Sequence, residues 1–386
     1  MADYQDIKGL RVKYLSADPS NTATGEVWYN STTGKLRSHL LSSAWSSSSP
    51  MSVARVYAGS TGIQTAAMTF GGYTPPTIAT TEEYNGSGWS SGGDMNTGRW
   101  AMGSAGTLAA GLAIAGNPNL TNVEEYNGTV WSEETDVPAG MQNNSGLGLQ
   151  TAALSYGGGP GGNLSSTSLE YDGSSWTASP GALNTPRSHA EGAGTQTAGL
   201  VFTGDPAFGA GASATESYDG SSWTTLATVN TARADAGGGG SQTVAVVFGG
   251  KSSAPTNTQA TETWDGSSWS TSSATLANTS SNGIGCANQP GTGVANVSMG
   301  GAGAPAAPQV TTTEEFNIST DAFTAGAWAS GTVFPSNLLQ CASSGTQTAL
   351  FVAGGYTGAP GPATAVSTTF NYDGTNWTAG GALPAA

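Results

Sequence analysis

The hexapeptide Tyr171-Asp172-Gly173-Ser174-Ser175-Trp176 decides the fold, because the same grammar returns along the chain. An aromatic residue, Asn or Asp, Gly, two further residues and Trp recur at Tyr84…Trp89, Tyr126…Trp131, Tyr218…Trp223, Trp264…Trp269 and Tyr372…Trp377. A seventh copy, Phe316-Asn317…Trp328, is stretched and lacks the Gly. Successive aromatic positions lie 42 to 56 residues apart, a period that marks a repeat architecture.

Working outward, each unit from Met51 onward has four parts. It opens on a stretch carrying Arg55, Arg99, Arg187 or Arg233, the last three within Asn-Thr-x-Arg. A Gly/Ala-rich strand follows and ends in a Gly pair: Gly71-Gly72, Gly157-Gly158, Gly249-Gly250, Gly300-Gly301, Gly354-Gly355. A variable loop then leads to a Thr/Glu-rich strand such as Thr80-Thr81-Glu82-Glu83-Tyr84, and the Trp strand closes the unit. Asn-Gly and Asp-Gly between the last two strands predict a tight hairpin of the primed type, which needs positive φ at both central residues. Small residues on both faces of the second strand suit a sheet covered on both sides, as in radially packed sheets. The spacing therefore predicts an all-β protein: a seven-bladed β-propeller of four-stranded antiparallel blades over 51–386.

Residues 1–50 read differently. Lys8 to Leu15 alternates as a half-exposed strand, and Glu26 to Leu36 reads as a hairpin through Thr33-Gly34. We place a small N-terminal β module at 1–50, with its boundary near Pro50.

Charge excludes several functions. The net charge is −15 with only 9% charged residues, and residues 1–50 hold five basic and four acidic ones, so nearly all the negative charge lies in the repeats. Such a body repels phosphate backbones and anionic lipid. The start lacks the apolar core of a signal peptide and no stretch is apolar enough for membrane insertion. Cys286 and Cys341 form no disulfide framework and read as buried thiols of neighbouring blades.

The Gly pair, the Glu-Tyr-Asp strand and the following Trp resemble the kelch repeat. More narrowly, the Gly-Thr-Gln-Thr-Ala blocks at 194–198 and 345–349 look like kelch-like virion proteins of marine tailed phages. So does the opening from Ile7 to Pro19 running into Gly25 to Asn30. The resemblance implies a virion structural protein of tail-fibre, collar or capsid type. Such a protein is assembled in the host cytoplasm and attached to other virion proteins through its N-terminal module.

Within the kelch fold, a galactose-oxidase copper site needs paired His ligands, and the chain has only His39 and His189. The four arginines recur at one repeat position, which spreads them, and we expect them to bond Glu residues or carbonyls of an adjacent blade. Glu82-Glu83, Glu124-Glu125 and Glu314-Glu315 point to opposite faces of their strands and do not converge as acid–base pairs. No catalytic residue, cofactor or metal is expected. The loops between second and third strands differ in every unit, the layout of a binding face on a fixed scaffold. On them we single out Tyr73, Pro75, Asn117, Asn119, Phe208, Lys251 and Tyr356 as candidates for contact with a host-surface polysaccharide or protein. Tyr14, Leu15, Trp28 and Tyr29 are the candidates for attachment and homo-oligomer formation. The competing expectation is a cellular kelch-type interaction scaffold.

Overall fold

The computed structural model describes residues 13–17, 27–32, 35–206, 211–253, 256–277, 285–286, 295–302, 309–324, 342–346, 349–353, 356–357, 364–373 and 375–383. Phe208, Trp328, Cys341, Ala304-Pro305 and Gly354-Gly355 lie outside them. The chain divides into two compact units, residues 41–321 and residues 1–40 with 322–386. The division falls at 40/41 where the sequence places it near Pro50.

The larger unit is built of successive antiparallel sheets. The first holds Gly59–Ile63, Ala66–Phe70, Thr81–Tyr84 and Trp89–Ser91. The second holds Gly103–Thr107, Ala110–Ile114, Val123–Tyr126 and Trp131–Glu134. The third runs Ser145–Leu149, Ala152–Tyr156, Ser168–Tyr171, Trp176–Ala178, and the fourth Glu191–Thr195, Ala198–Phe202, Thr215–Tyr218, Trp223–Leu226. The fifth comprises Gly237–Gly240, Ala245–Phe248, Ala260–Trp264 and Trp269–Thr275. The sixth has Gly285–Cys286, Ala295–Met299 and Thr313–Thr324, and beside the last lies Lys35–Ser48. The arrangement is propeller-like: first strands of successive sheets touch in order, and Gly285–Cys286 touches both Gly237–Gly240 and Gly59–Ile63.

Four devices, three through side chains and one through the backbone, repeat from sheet to sheet and explain the repeated letters. The Gln of the first hairpin reaches back to two carbonyls of the preceding sheet. Gln150 bonds Gly111 and Tyr126, Gln196 bonds Ala153 and Tyr171, Gln242 bonds Gly199 and Tyr218. Gln64 of the first sheet does the same to Asn296 and Phe316 of the sixth. The Tyr hydroxyl donates to the second Glu of the preceding sheet, Tyr126 to Glu83, Tyr171 to Glu125, Tyr218 to Glu170 and Tyr84 to Glu315. A Gly just past the second strand donates its N–H to the carbonyl at the Arg position of the next unit: Gly72 to Arg99, Gly158 to Arg187, Gly204 (after Thr203) to Arg233, Gly301 to Arg55. The fourth device is the Trp indole. Trp131 Nε1 donates to Thr81 Oγ1 and Trp269 Nε1 to Thr215 Oγ1, while Trp89 Nε1 reaches Thr313 Oγ1.

The arginines correct the sequence reading. Each bonds within its own repeat: Arg55 to Glu82, Arg99 to Glu124 at 3.1 Å, Arg187 to Glu216, Arg233 to Glu262 at 2.5 Å. All four guanidinium groups are buried, and burial lowers their pKa while the paired carboxylate opposes that shift. The first Glu also accepts two backbone N–H groups upstream of its Arg, Asn96 and Thr97 for Glu124, Asn230 and Thr231 for Glu262. So the Asn-Thr-x-Arg motif is half of a buried clasp. The second Glu faces the next sheet, as strand alternation requires.

The third repeat replaces the clasp. Met141 stands where the Arg carbonyl would accept from Gly116, and Leu169 stands where the first Glu would be. Both pack in one apolar cluster with Ile114 and Trp176.

The irregular seventh copy has a physical explanation. Beside Phe316 the Trp position is filled by Trp45, from the segment 41–48 that belongs to this unit. Trp45 lies 5.1 Å from Phe316, as Trp89 lies 5.0 Å from Tyr84. It packs edge-on against Phe248 at 4.7 Å, as Trp269 does against Phe202 at 5.0 Å. Its Nε1 donates to Thr261 Oγ1 at 2.9 Å, the same bond that Trp89, Trp131 and Trp269 make to a strand threonine.

The hairpin turns also differ from expectation. Only the Gly takes positive φ, 89° at Gly173, and the loop has four residues closed by Asp172 N–H to Ser175 C=O. Asp172 Oδ1 accepts both N–H groups of Ser174 and Ser175, so the side chain does what a second left-handed residue would have done. Those bonds, with the Ser174 hydroxyl foremost, hold the carboxyl down at about 2.

In the other unit, Lys13–Leu15 runs parallel to Val27–Asn30, which pairs antiparallel with the start of Lys35–Ser48 through the expected hairpin. The last copy of the repeat forms Ala342–Thr346, Ala349–Ala353, Thr369–Tyr372 and Trp377–Ala379.

Candidate functional site

Two residues past each Arg position the chain turns left-handed. Tyr57, Ala101, Asn143, His189 and Asp235 all have φ between 49° and 59°. Such values are costly for residues with a Cβ and are tolerated best by Asn, Asp and His. They are held by a chain of backbone bonds that passes from sheet to sheet. Ala101 N–H donates to Tyr57 C=O, Asn143 N–H to Ala101 C=O, and His189 N–H to Asn143 C=O. The five residues surround the mouth of a cavity of about 80 Å³ within the larger unit.

Beneath the mouth the walls are small and polar. Ser60, Ser104, Asn144, Ser145 and Glu191 come from the starts of the first strands. Asn144 is buried, its Nδ2 donating to Ile114 C=O and Ser155 Oγ, while its Oδ1 accepts nothing. Asp235, 7% exposed, pairs through Oδ2 with Lys251 Nζ at 3.1 Å. Its Oδ1 has no hydrogen bond and sits 3.8 Å from His189 Nε2. Burial, and then the Asp235 charge, push the Tyr57 phenol well above its ordinary value, so it stays protonated.

Around the mouth runs an arc of aromatic rings. Tyr57 lies 5.7 Å from His189 and 5.4 Å from Trp100, and Trp100 lies 5.7 Å from Tyr73. All four are half-buried.

The structure brings three of the loop candidates to one position. Tyr73, Asn117 and Lys251 each form an antiparallel bridge with the residue after the Arg position of a unit, to Val56, Trp100 and Ala234. They flank the mouth. Asn117 Nδ2 also donates to Gln142 Oε1 at 2.7 Å. Pro75 and Asn119 are exposed farther along the same loops, and Asn119 Oδ1 accepts the Gly161 N–H. Tyr356 belongs to the other unit, paired with Ala365. Of the attachment candidates, Tyr14 pairs with Tyr29 across the parallel strands. Leu15 and Tyr29 are half-buried, whereas Trp28 is 1% exposed and is a packing residue of its unit.

Sequence reasoning missed the left-handed tier. The signal was an offset, two residues past Arg55, Arg99, Met141, Arg187 and Arg233, filled by a different residue in each repeat.

Ser188 Oγ lies 3.3 Å from His189 Nδ1, and with Asp235 the set has the letters of a hydrolase triad. Ser188 is 1% exposed, so its hydroxyl is shut off from any substrate in the cavity. Among the described residues no three His, Cys, Asp or Glu side chains group as metal ligands, and no helix is long and apolar enough to cross a membrane. No known protein family matches the chain, and no curated protein matches it.

Proposed function

We propose that the chain is a non-enzymatic structural protein of a tailed-phage particle, joined to other virion proteins through its N-terminal module. In this reading it binds a host-surface glycan or protein through the loop face of residues 41–321. The six sheets of that unit then close as a kelch-like propeller. Gln64, Tyr84, Trp89 and the Gly301–Arg55 bond tie first to sixth with devices that also link other neighbouring sheets. The last copy of the repeat, with Tyr372 and Trp377, stands in the other unit.

The observation that carries the reading is the mouth. The repeats spend their repeated letters on one another, and vary where five sheets meet at a polar cavity lined by Tyr57, whose ring contacts Trp100 and through it Tyr73. Half-exposed aromatic rings beside small hydroxyl and amide groups are what a recognition surface uses. The chemistry of the N-terminal opening and of the Gly-Thr-Gln-Thr-Ala blocks supplies the phage resemblance. Mass spectrometry of purified particles tests it. The polypeptide is expected at stoichiometric copy number, and particles that lack it refute the assignment.

A further inference from the structure

We propose that the cavity below Tyr57, Ala101, Asn143, His189 and Asp235 is a binding subsite for one uncharged sugar unit. This deepens the host-recognition reading and rests on it for its biological meaning, but the chemistry is argued from the cavity alone.

Two buried acceptors without donors line one space: Asn144 Oδ1, an amide oxygen, and Asp235 Oδ1, a carboxylate oxygen. A buried acceptor left unmatched costs on the order of 1–3 kcal/mol, so both call for hydroxyl or N–H donors from whatever enters. The gap between Asp235 Oδ1 and His189 Nε2, at 3.8 Å, is too wide for a direct hydrogen bond and suits an intervening hydroxyl that donates to one and accepts from the other. Ser104 Oγ and Ser145 Oγ already donate to the Ser60 and Ala190 carbonyls, which leaves their oxygens to accept from a ligand hydroxyl. At about 80 Å³ the space exceeds several times the roughly 10–15 Å³ that one water needs. It has room for an edge of a sugar ring.

Charge decides against the alternatives. Lys251 pairs with Asp235, and Glu191 is a second carboxylate of the lining. An acidic sugar would bring its carboxylate against Glu191 and Asp235 in a partly desolvated space, so uronic and sialic acids are excluded. The Tyr57–Trp100–Tyr73 arc leads outward from the cavity and offers ring faces to the C–H side of following units. The occupant is therefore a neutral hexose or N-acetylhexosamine within a longer chain.

The test uses the full chain and saturation-transfer NMR with titration of methyl glycosides of glucose, galactose, mannose and N-acetylglucosamine, with glucuronic and sialic acids alongside. At least one neutral glycoside is expected to bind, and the acidic sugars are not. Asp235→Asn removes the carboxylate in nearly the same shape and should weaken binding at least about tenfold. Ala101→His fills the mouth with a residue that this ring already accommodates at position 189, and should abolish binding with the melting temperature retained. If Asp235→Asn fails to fold, Ala101→His carries the test by itself. No neutral glycoside binding, acidic sugars binding as well as neutral ones, or binding unchanged in Ala101→His each overturns the subsite. The particle assignment fails separately, by absence of the polypeptide from virions.

Discussion

Replacing Trp45 by Ala measures whether a segment far away in sequence completes the sixth sheet. Trp45 is half-buried, packed edge-on to Phe248 at 4.7 Å and tilted to Phe316 at 5.1 Å, with its indole N–H on Thr261 Oγ1. Removing a fully buried Trp costs roughly 3–5 kcal/mol. Half-burial reduces that packing loss to about 2 kcal/mol, and the two ring contacts and one hydrogen bond add about 1 kcal/mol or more. These terms share neighbours and do not sum freely, so the expected loss is about 2–4 kcal/mol. By the usual scaling for domains of this size, that lowers the melting temperature by roughly 5–12 °C. Trp131→Ala provides the yardstick, because Trp131 makes the same bond to Thr81 and is 5% exposed. Ser46→Ala, an exposed neighbour on the same strand, is the control. Calorimetry and urea titration of the full chain read all three. A Trp45→Ala effect below about 0.5 kcal/mol, the level of a surface substitution, would refute the claim that this strand finishes the sheet.

Breaking one clasp tests the burial of its charges: Arg99→Met is expected to cost about 3–5 kcal/mol by stranding Glu124. The pair Arg99→Met with Glu124→Leu copies Met141 and Leu169 of the third repeat and should recover much of that loss; strictly additive single effects would sink the comparison. Ser168 holds the place of Thr81, Thr215 and Thr261, and its hydroxyl and Trp223 Nε1 are both unpartnered. Ser168→Thr is expected to stabilise by about 1 kcal/mol by fixing the acceptor, and an unchanged urea midpoint would show that the added methyl does not orient it. Burial, followed by the bonds to Glu83 and Glu170, raises the phenols of Tyr126 and Tyr218 to about 12. Their folded pKa exceeds the unfolded one, so that stability is complete below about pH 10 and is lost as pH rises through 12. Tyr126→Phe should flatten the alkaline limb of the stability curve, and an unaltered limb would contradict the link.

Much of the architecture is legible because its causes are local. The period, the Gly pairs and the Asp-Gly loops report a strand, a turn and a rim packing residue that each repeat needs for itself. The hairpin at Val27–Asn30 and Lys35 is legible for the same reason. What the letters do not reveal depends on partners distant along the chain. Trp45 reads as the end of an N-terminal module, because nothing near it announces Thr261, Phe248 or Phe316. The arginines read as bridges between blades because their spacing fixes a ring position and says nothing of direction. The cavity is least legible, since its five mouth residues share a backbone conformation and no side-chain type.

That last fact is itself an argument about where recognition sits. The Gln, Tyr, Arg and first and second Glu of a repeat, and the Trp at 89, 131 and 269, are committed to partners inside the sheet stack, and replacing them strands buried groups. The residue two past the Arg carries no such duty, since its carbonyl and N–H supply the links along the mouth at Ala101 and Asn143. Its side chain is free to differ, and it does, as Tyr, Ala, Asn, His and Asp. Variation there changes the lining of one cavity and leaves every sheet-to-sheet contact intact. A repeat scaffold of this kind separates the letters that hold the sheets together from those that meet a ligand. The mouth is therefore the place where substitutions alter binding at the least cost in stability.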